Sequence, residues 1–210
     1  MSTSSVSATA KKRLPPEERK DMLLECTATF LREHGLSVLT MERLAQYAGV
    51  SKPLVYNYFP NRMALLKAVL VREVEIRLKL DREVAEQATS LQDLIERSAW
   101  NMLTNIRDRG NNVQQLLQEP EIAQVLTEMR SSVRGDYVGF LANQLRSEFD
   151  VPSPIAAIVV ELLMGMGTTA GALFEREKGD IHKLHEILVT LTQGALDAAV
   201  HKYTDDTTSM

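Results

Sequence analysis

The stretch VSKPLVYNYFPNR, residues 50–62 of this 210-residue sequence, concentrates hydrogen-bonding side chains of several kinds around two prolines. Lys52, Tyr56, Asn57 and Tyr58 fall within seven positions there, in a chain with five tyrosines in all. An ammonium and phenol hydroxyls suit phosphate oxygens. An asparagine amide sets a donor beside an acceptor and can pair with the edge of an adenine. The segment is equipped to hold an anionic polymer and to read it. Catalysis finds no comparable set: there is no Ser/His/Asp, Cys/His or phosphate-loop signature. His182 and His185 stand three apart with Glu186 alongside, and no third firm ligand is in view. They read as a solvated or interfacial pair, so no metal and no cofactor is expected. The single Cys26 leaves no intrachain disulfide, fits a reducing compartment, and reads as a small packing residue.

Helices must position these groups, because apolar residues recur at three- and four-residue steps almost everywhere and strand alternation is missing. A first helix is expected from Pro15 or Pro16, with Glu17 and Glu18 in its opening turn, to near Gly35. Its inner face is Leu23, Leu24, Thr27, Phe30 and Leu31. Thr40 is placed to cap a second helix, MERLAQYA, which Gly49 ends. Ser51 is placed to cap a third, Lys52 to Tyr58, with Pro53 in its first turn where no amide donor is lost. Pro60 stops it, and Asn61 caps a long fourth helix to about Gln87. Two short helices joined by a glycine turn describe a helix-turn-helix, whose second helix enters the DNA major groove. Leu54, Val55 and Phe59 would anchor that short helix from one side. The amides at the Thr40, Ser51 and Asn61 helix starts can also hold phosphate oxygens.

Charge follows the same division. Residues 11–62 carry nine Lys/Arg against six Asp/Glu, while the remainder carries 15 against 22. The basic quarter fits an anionic partner. Ahead of it, residues 1–14 read as a flexible arm ending in Lys11, Lys12 and Arg13, and the first residues are not a secretory signal. The run IAAIVVELLMGMGTTAGALF, residues 155–174, is long enough to span a bilayer. It contains Glu161 and stands alone, so it is read as a buried helix, with no membrane partner expected.

In the fourth helix Glu73 and Arg77, Glu75 and Lys79, and Arg82 and Glu86 are spaced i,i+4 and are read as a solvated, ion-paired face. Further helices are expected at about 91–107, 112–130 (broken near Pro120), 133–148, 154–175 and 180–202, with a loose tail from residue 204.

Residues 23–66 resemble the DNA-binding domain of the TetR family of bacterial transcriptional regulators. LLECTATFLREHGL and TMERLAQYAGVSKPLVYNYFPNRMALL carry the resemblance, through the small residues after LL, the Thr before the second helix, LA…AGVS and Y-x-YF. Arg62 stands where the family more often has lysine, and Leu54 where a small or hydroxylated residue is common. The resemblance implies an all-α homodimeric repressor of about nine helices. Residues 15–62 would form the DNA-binding domain, and residues 63–203 a ligand-binding and dimerisation domain. Such proteins bind a palindromic double-stranded operator and release it when a small-molecule effector fills the body. By position, Thr40, Lys52, Tyr56, Tyr58 and Arg62 would contact phosphates. Asn57 is the leading base reader, followed by Lys52 and Pro53.

The body carries no comparable motif. Trp100, Met102, Leu116, Tyr137, Phe140 and Met164 are the bulky candidates for an effector pocket. Glu161 is a candidate for a cationic ligand, a cross-dimer arginine or water. The resemblance assigns the last two helices to the dimer interface. Gly167 and Gly171, one turn apart, and the stripe Leu184, Leu188, Leu191 and Ala195 are compatible with it. The expected function is a cytoplasmic, ligand-released repressor and not an enzyme. The alternative is a DNA-binding protein whose acidic body docks a protein partner.

Overall fold

The computed structural model describes residues 15–129 and 135–205. The expected N-terminal arm lies outside the described residues, as does the tail beyond Asp205. Ten helices make up the described structure: α1 (Pro16–His34), α2 (Met41–Tyr47), α3 (Lys52–Tyr58), α4 (Arg62–Gln87), α5 (Leu91–Arg109), α6 (Asn112–Leu116), α7 (Pro120–Met129), α8 (Gly135–Phe149), α9 (Ser153–Glu177) and α10 (Ile181–Asp205). No strand occurs among the described residues. The architecture is all-α, as expected, with one helix more than the nine. The extra one arises because the expected break at Pro120 is complete, so α6 and α7 are separate elements. At its far end α10 runs through Thr204, whose hydroxyl donates to the Val200 carbonyl at 2.7 Å.

The three-helix head forms for local reasons. Pro16 opens α1 with Glu17 and Glu18 in the first turn, where acids favour the helix dipole. The Thr40 hydroxyl accepts from the Arg43 amide at 3.1 Å and caps α2. Gly49, at φ 65°, makes the turn into α3 in a left-handed conformation that other residues rarely adopt. Asn61 accepts from the Ala64 amide at 2.8 Å and caps α4. Ser51 occupies the cap position of α3 with extended backbone, but its hydroxyl makes no capping bond.

One apolar cluster holds the head and welds it to the body. Leu23, Leu31, Leu44, Val55, Leu65, Leu66 and Leu70 are fully buried in it, joined by Leu116 of α6 and Ile122 of α7. Each such leucine withdraws from water an area worth about 1.5–3 kcal/mol. Because this cluster includes the first turns of α4, the head cannot rotate independently of that helix. Beyond it, α5 packs against α4, α9 and α10, and α8 packs on α9. Two further apolar clusters fill those contacts, one around Val138, Ala156 and Leu196, the other around Ala99, Leu103 and Leu188.

The long apolar helix α9 is not the buried helix the sequence led us to expect. Only 22% of its most apolar window is buried within the chain. Ile158 and Leu162 on α9 and Ile187 and Leu191 on α10 are 45–67% exposed, an uncovered apolar face across both helices.

Candidate nucleic-acid interface and body cavity

Helix α3 is just under two turns long, too short to persist alone. Val55 at 0% exposure and Phe59 at 3% pin one side of it into the head core, with Leu54 half-buried. The opposite side is left to polar tips. Ser51, Lys52, Pro53, Tyr56 and Asn57 are exposed, and Thr40 is exposed at the start of α2. The side-chain amide of Asn57 makes no hydrogen bond among the described residues. Tyr58 differs from its neighbours, since it is half-buried and packs against the head core.

Lys52 is not idle. Its ammonium forms an ion pair with Glu42 at 2.5 Å and lies over the Tyr56 ring, 5.6 Å from the centroid. The hydrogen bond to Glu42 holds the lysine above its ordinary pKa and the glutamate below its own. Contact between Lys52 and a phosphate must therefore displace a carboxylate on the neighbouring helix.

Arg62 corrects the sequence-based expectation. Its guanidinium turns inward rather than toward the exposed side of α3. Nε donates to the Leu39 carbonyl at 3.1 Å and Nη2 to the Leu36 carbonyl at 3.2 Å, while Nη1 meets Glu119 Oε1 at 2.9 Å. The first residue of α4 thus ties the α1–α2 loop to the junction of α6 and α7. A lysine ammonium, lacking a planar fork, could not span the three acceptors in this way.

Behind the head, α4 to α10 enclose a cavity of about 420 Å³. That is within the roughly 300–1,000 Å³ typical of small-molecule sites. Of the expected pocket residues, Met102, Tyr137 and Met164 line it. The other four do not. Leu116 is fully buried in the head cluster. Trp100 is held outside by His182 and His185, with ring centroids at 5.1 and 5.3 Å. The same His185 donates through Nε2 to the Glu96 carbonyl at 3.0 Å. Phe140 is 43% exposed and stacked on Tyr137. Glu161 is exposed on the outer side of α9.

The small-residue positions also serve a different purpose from the one expected. A Cβ on Gly167 would sit 3.0 Å from Met102 Sδ, and one on Gly171 would run into Ile106 Cδ1. Both glycines therefore let α5 approach α9 inside one chain. Leu188 is buried in the same seam and Leu184 packs against it, whereas Leu191 and Ala195 remain exposed.

The cavity wall contains what the sequence reading missed. Glu73, Arg77 and Asp81 face the cavity, so this stretch of α4 is not the solvated face expected of it. Glu73 and Asp81 are 8% and 6% exposed. Arg77 pairs not with Glu73 but with Asp81, its Nε reaching the two carboxylate oxygens at 2.9 and 3.0 Å. Glu73 instead accepts from Arg109 at 3.0 Å. Burial pushes the Asp81 carboxyl above its ordinary value despite Arg77. A signal was available: Leu66, Leu70, Glu73, Arg77, Asp81 and Ala85 continue one stripe at three- and four-residue steps, the spacing of a single helix face. Asn112 and Glu119, by contrast, had no sequence signal at all.

Fold and head geometry together define a helix-turn-helix DNA-binding regulator of transcription. Residues 23–69 match the family described as bacterial regulatory proteins, tetR family. The chain is 38% identical over 63 residues to the transcriptional activator FasR of Mycolicibacterium smegmatis, a match covering 30% of this chain and 29% of that protein. It is 28% identical over 130 residues to the transcriptional repressor KstR of the same species, covering 61% of each. A TetR-like transcriptional regulator from Rhodococcus sp. RHA1 superimposes with a TM-score of 0.68 at 19% identity, over 88% of this chain and 99% of that one. The chain belongs to the TetR family of transcriptional regulators.

Proposed function

We propose that the protein is a homodimeric repressor that grips a palindromic operator and lets go when a small molecule fills the cavity of the body. The observation that carries this reading is the shared ownership of α4. One end of that helix, through Arg62, holds the head loop and Glu119, and its middle walls the cavity. Helices α6 and α7, which Glu119 joins, contribute Asn112, Val113 and Leu126 to the same cavity, and Leu117 between them adds to it. A molecule lodged there must lean on the elements that orient the head.

On DNA, Asn57 would read base edges while Thr40, Ser51, Lys52, Tyr56 and Tyr58 fix position on phosphates, with Pro53 beside the groove floor. Two α3 helices must stand roughly 34–36 Å apart to enter successive major grooves on one side of the duplex. A change of a few ångströms in that separation is enough for release. The ligand need only bind the DNA-incompetent state more tightly. The second copy would cover the apolar face of Ile158, Leu162, Ile187 and Leu191, because a patch of that kind is rarely left open in water.

The test is selection of bound duplexes from a random library at near-physiological salt, with the oligomeric state measured by sedimentation. An enriched palindrome bound by a dimer is the expected result. A monomer whose α9–α10 face instead captures another protein would favour the partner-docking alternative. The activator named among the relatives supplies a further outcome: transcription that falls when the gene is deleted would reverse the direction of regulation proposed here.

A further inference from the structure

The cavity has two unlike ends. Helix α4 runs away from the head and α5 returns toward it, so residues early in α4 and late in α5 lie nearest the head. Leu91, Leu94, Ile95, Leu145, Val160 and Leu196 line the cavity from the distal parts of the body. The head-proximal end holds Glu73, Asn105, Asn111 and Asn112. Arg109 gathers two of these. Its Nη2 donates to Glu73 at 3.0 Å, and its carbonyl accepts from Asn112 Nδ2 at 3.3 Å.

Asn112 is the informative residue. It is 2% exposed, and its Oδ1 is buried without a hydrogen-bond partner. A buried carbonyl oxygen normally has a donor, so an orphan lining a cavity asks for one from whatever fills it. The charged groups point the same way. Among the described lining residues the charges are already paired, Asp81 with Arg77 and Glu73 with Arg109 from beside the cavity, so no lining cation is free to meet an anion.

Resting on the reading of the cavity as the effector site, we propose that it selects an apolar molecule headed by a hydrogen-bond donor, an amine foremost, and rejects a carboxylate. An ammonium presents three donors and no acceptor. It would supply the hydrogen that Asn112 Oδ1 lacks. A carboxylate brings acceptors only, and an unpaired negative charge into a wall whose cation is already engaged. Asn105 and the neutral phenol of Tyr137 can donate to it, but neither compensates the charge. Burial raises the Asp81 carboxyl above its ordinary value, so a further cation in the cavity stabilises its ionised form.

The experiment uses the full chain and three probes of equal chain length, dodecylamine, dodecanol and dodecanoate, each below its micelle-forming concentration. Affinity is read by calorimetry, and operator release by anisotropy of a labelled duplex. The expected order is amine, then alcohol, then acid, with amine and acid separated by about tenfold or more. Asn112→Leu should shrink that ratio severalfold. Asp81→Asn should free Arg77 and admit dodecanoate with a gain of about tenfold, so the two variants move different probes. Thermal melts of both variants establish that they fold. Equal or tighter binding of dodecanoate, no binding of any probe, or a ratio untouched by both variants overturns the ligand class. The release arm separates this from the function proposed above. Amine binding without release sinks the release mechanism and leaves the selectivity standing, whereas release by dodecanoate alone does the reverse.

Discussion

Head and body treat polar residues in opposite ways. In the head the buried positions are apolar, and the one buried polar side chain, Thr27, donates to its own helix at Leu23 at a distance of 2.7 Å. The polar side chains of α3 proposed to meet DNA, Lys52, Tyr56 and Asn57, lie outside, where water solvates them. The body buries Glu73, Asp81 and Asn112 and leaves Asn112 Oδ1 without a donor. The head is therefore built for one rigid shape, since a helix as short as α3 holds its direction through the side chains it buries, Val55 and Phe59 above all. The body is built around unmet polar demand, which costs stability until something satisfies it. Rigidity suits a reading surface, and unmet demand suits a receptor.

The most severe way to break this contrast is to loosen the head. Phe59→Ala removes a 3%-exposed ring from a tightly packed cluster and should cost about 3–5 kcal/mol in urea unfolding, with operator binding lost in parallel. Retained binding would mean that α3 does not depend on its anchor. Next in size is the joint between the regions. Arg62→Met deprives the Leu36 and Leu39 carbonyls of their donor and Glu119 of its partner, for a loss of about 1.5–3 kcal/mol. Ligand binding measured by calorimetry should survive while its effect on operator affinity fades; coupling that persists would show that Arg62 does not transmit it.

On the exposed side of α3, Asn57→Ala should cost about 1–3 kcal/mol of discrimination between operator and a single-base variant. Lys52→Ala should weaken both duplexes evenly and lower the salt slope by about one. Identical effects of the two substitutions would erase the distinction between reading and holding.

The smallest effect concerns the ion pairs between α1 and the body. Burial raises the Glu25 carboxyl, but hydrogen bonds from Arg109 and Arg72 outweigh it and leave the group below its ordinary value. A depressed acid contributes stability that is present above its unfolded pKa and lost as pH falls through the folded one. Asp81 has the opposite sign: raised in the folded state, it takes up its proton earlier there, which favours folding as the medium becomes acidic. In urea titrations across the carboxylate range, Glu25→Gln should flatten the acid limb of stability, and Asp81→Asn should steepen it. The same sign for both would mean that the two environments are not opposed.

Much of the head was legible in the residues themselves. Thr40, Gly49, Pro53, Pro60 and Asn61 act on the backbone within a few positions, so their effects appear as local types at local spacings, and α3 begins and ends where they require. The body depended on partners far along the chain. Arg62 was read as a contact of the exposed surface, yet its direction is set by Glu119, 57 residues away. Gly167 and Gly171 were assigned to a subunit interface, but Met102 and Ile106 of α5 claim them. Glu73 and Arg77 were paired with each other by spacing, until Arg109 and Asp81 offered better geometry in a buried setting. Sequence alone determined the family, the all-helical class and the bounds of α3, because caps, turns and periodicity are short-range physics. Only the tertiary structure decided which charged residues turn inward and where the cavity lies, because desolvation and ion pairing depend on neighbours that the order of residues does not reveal.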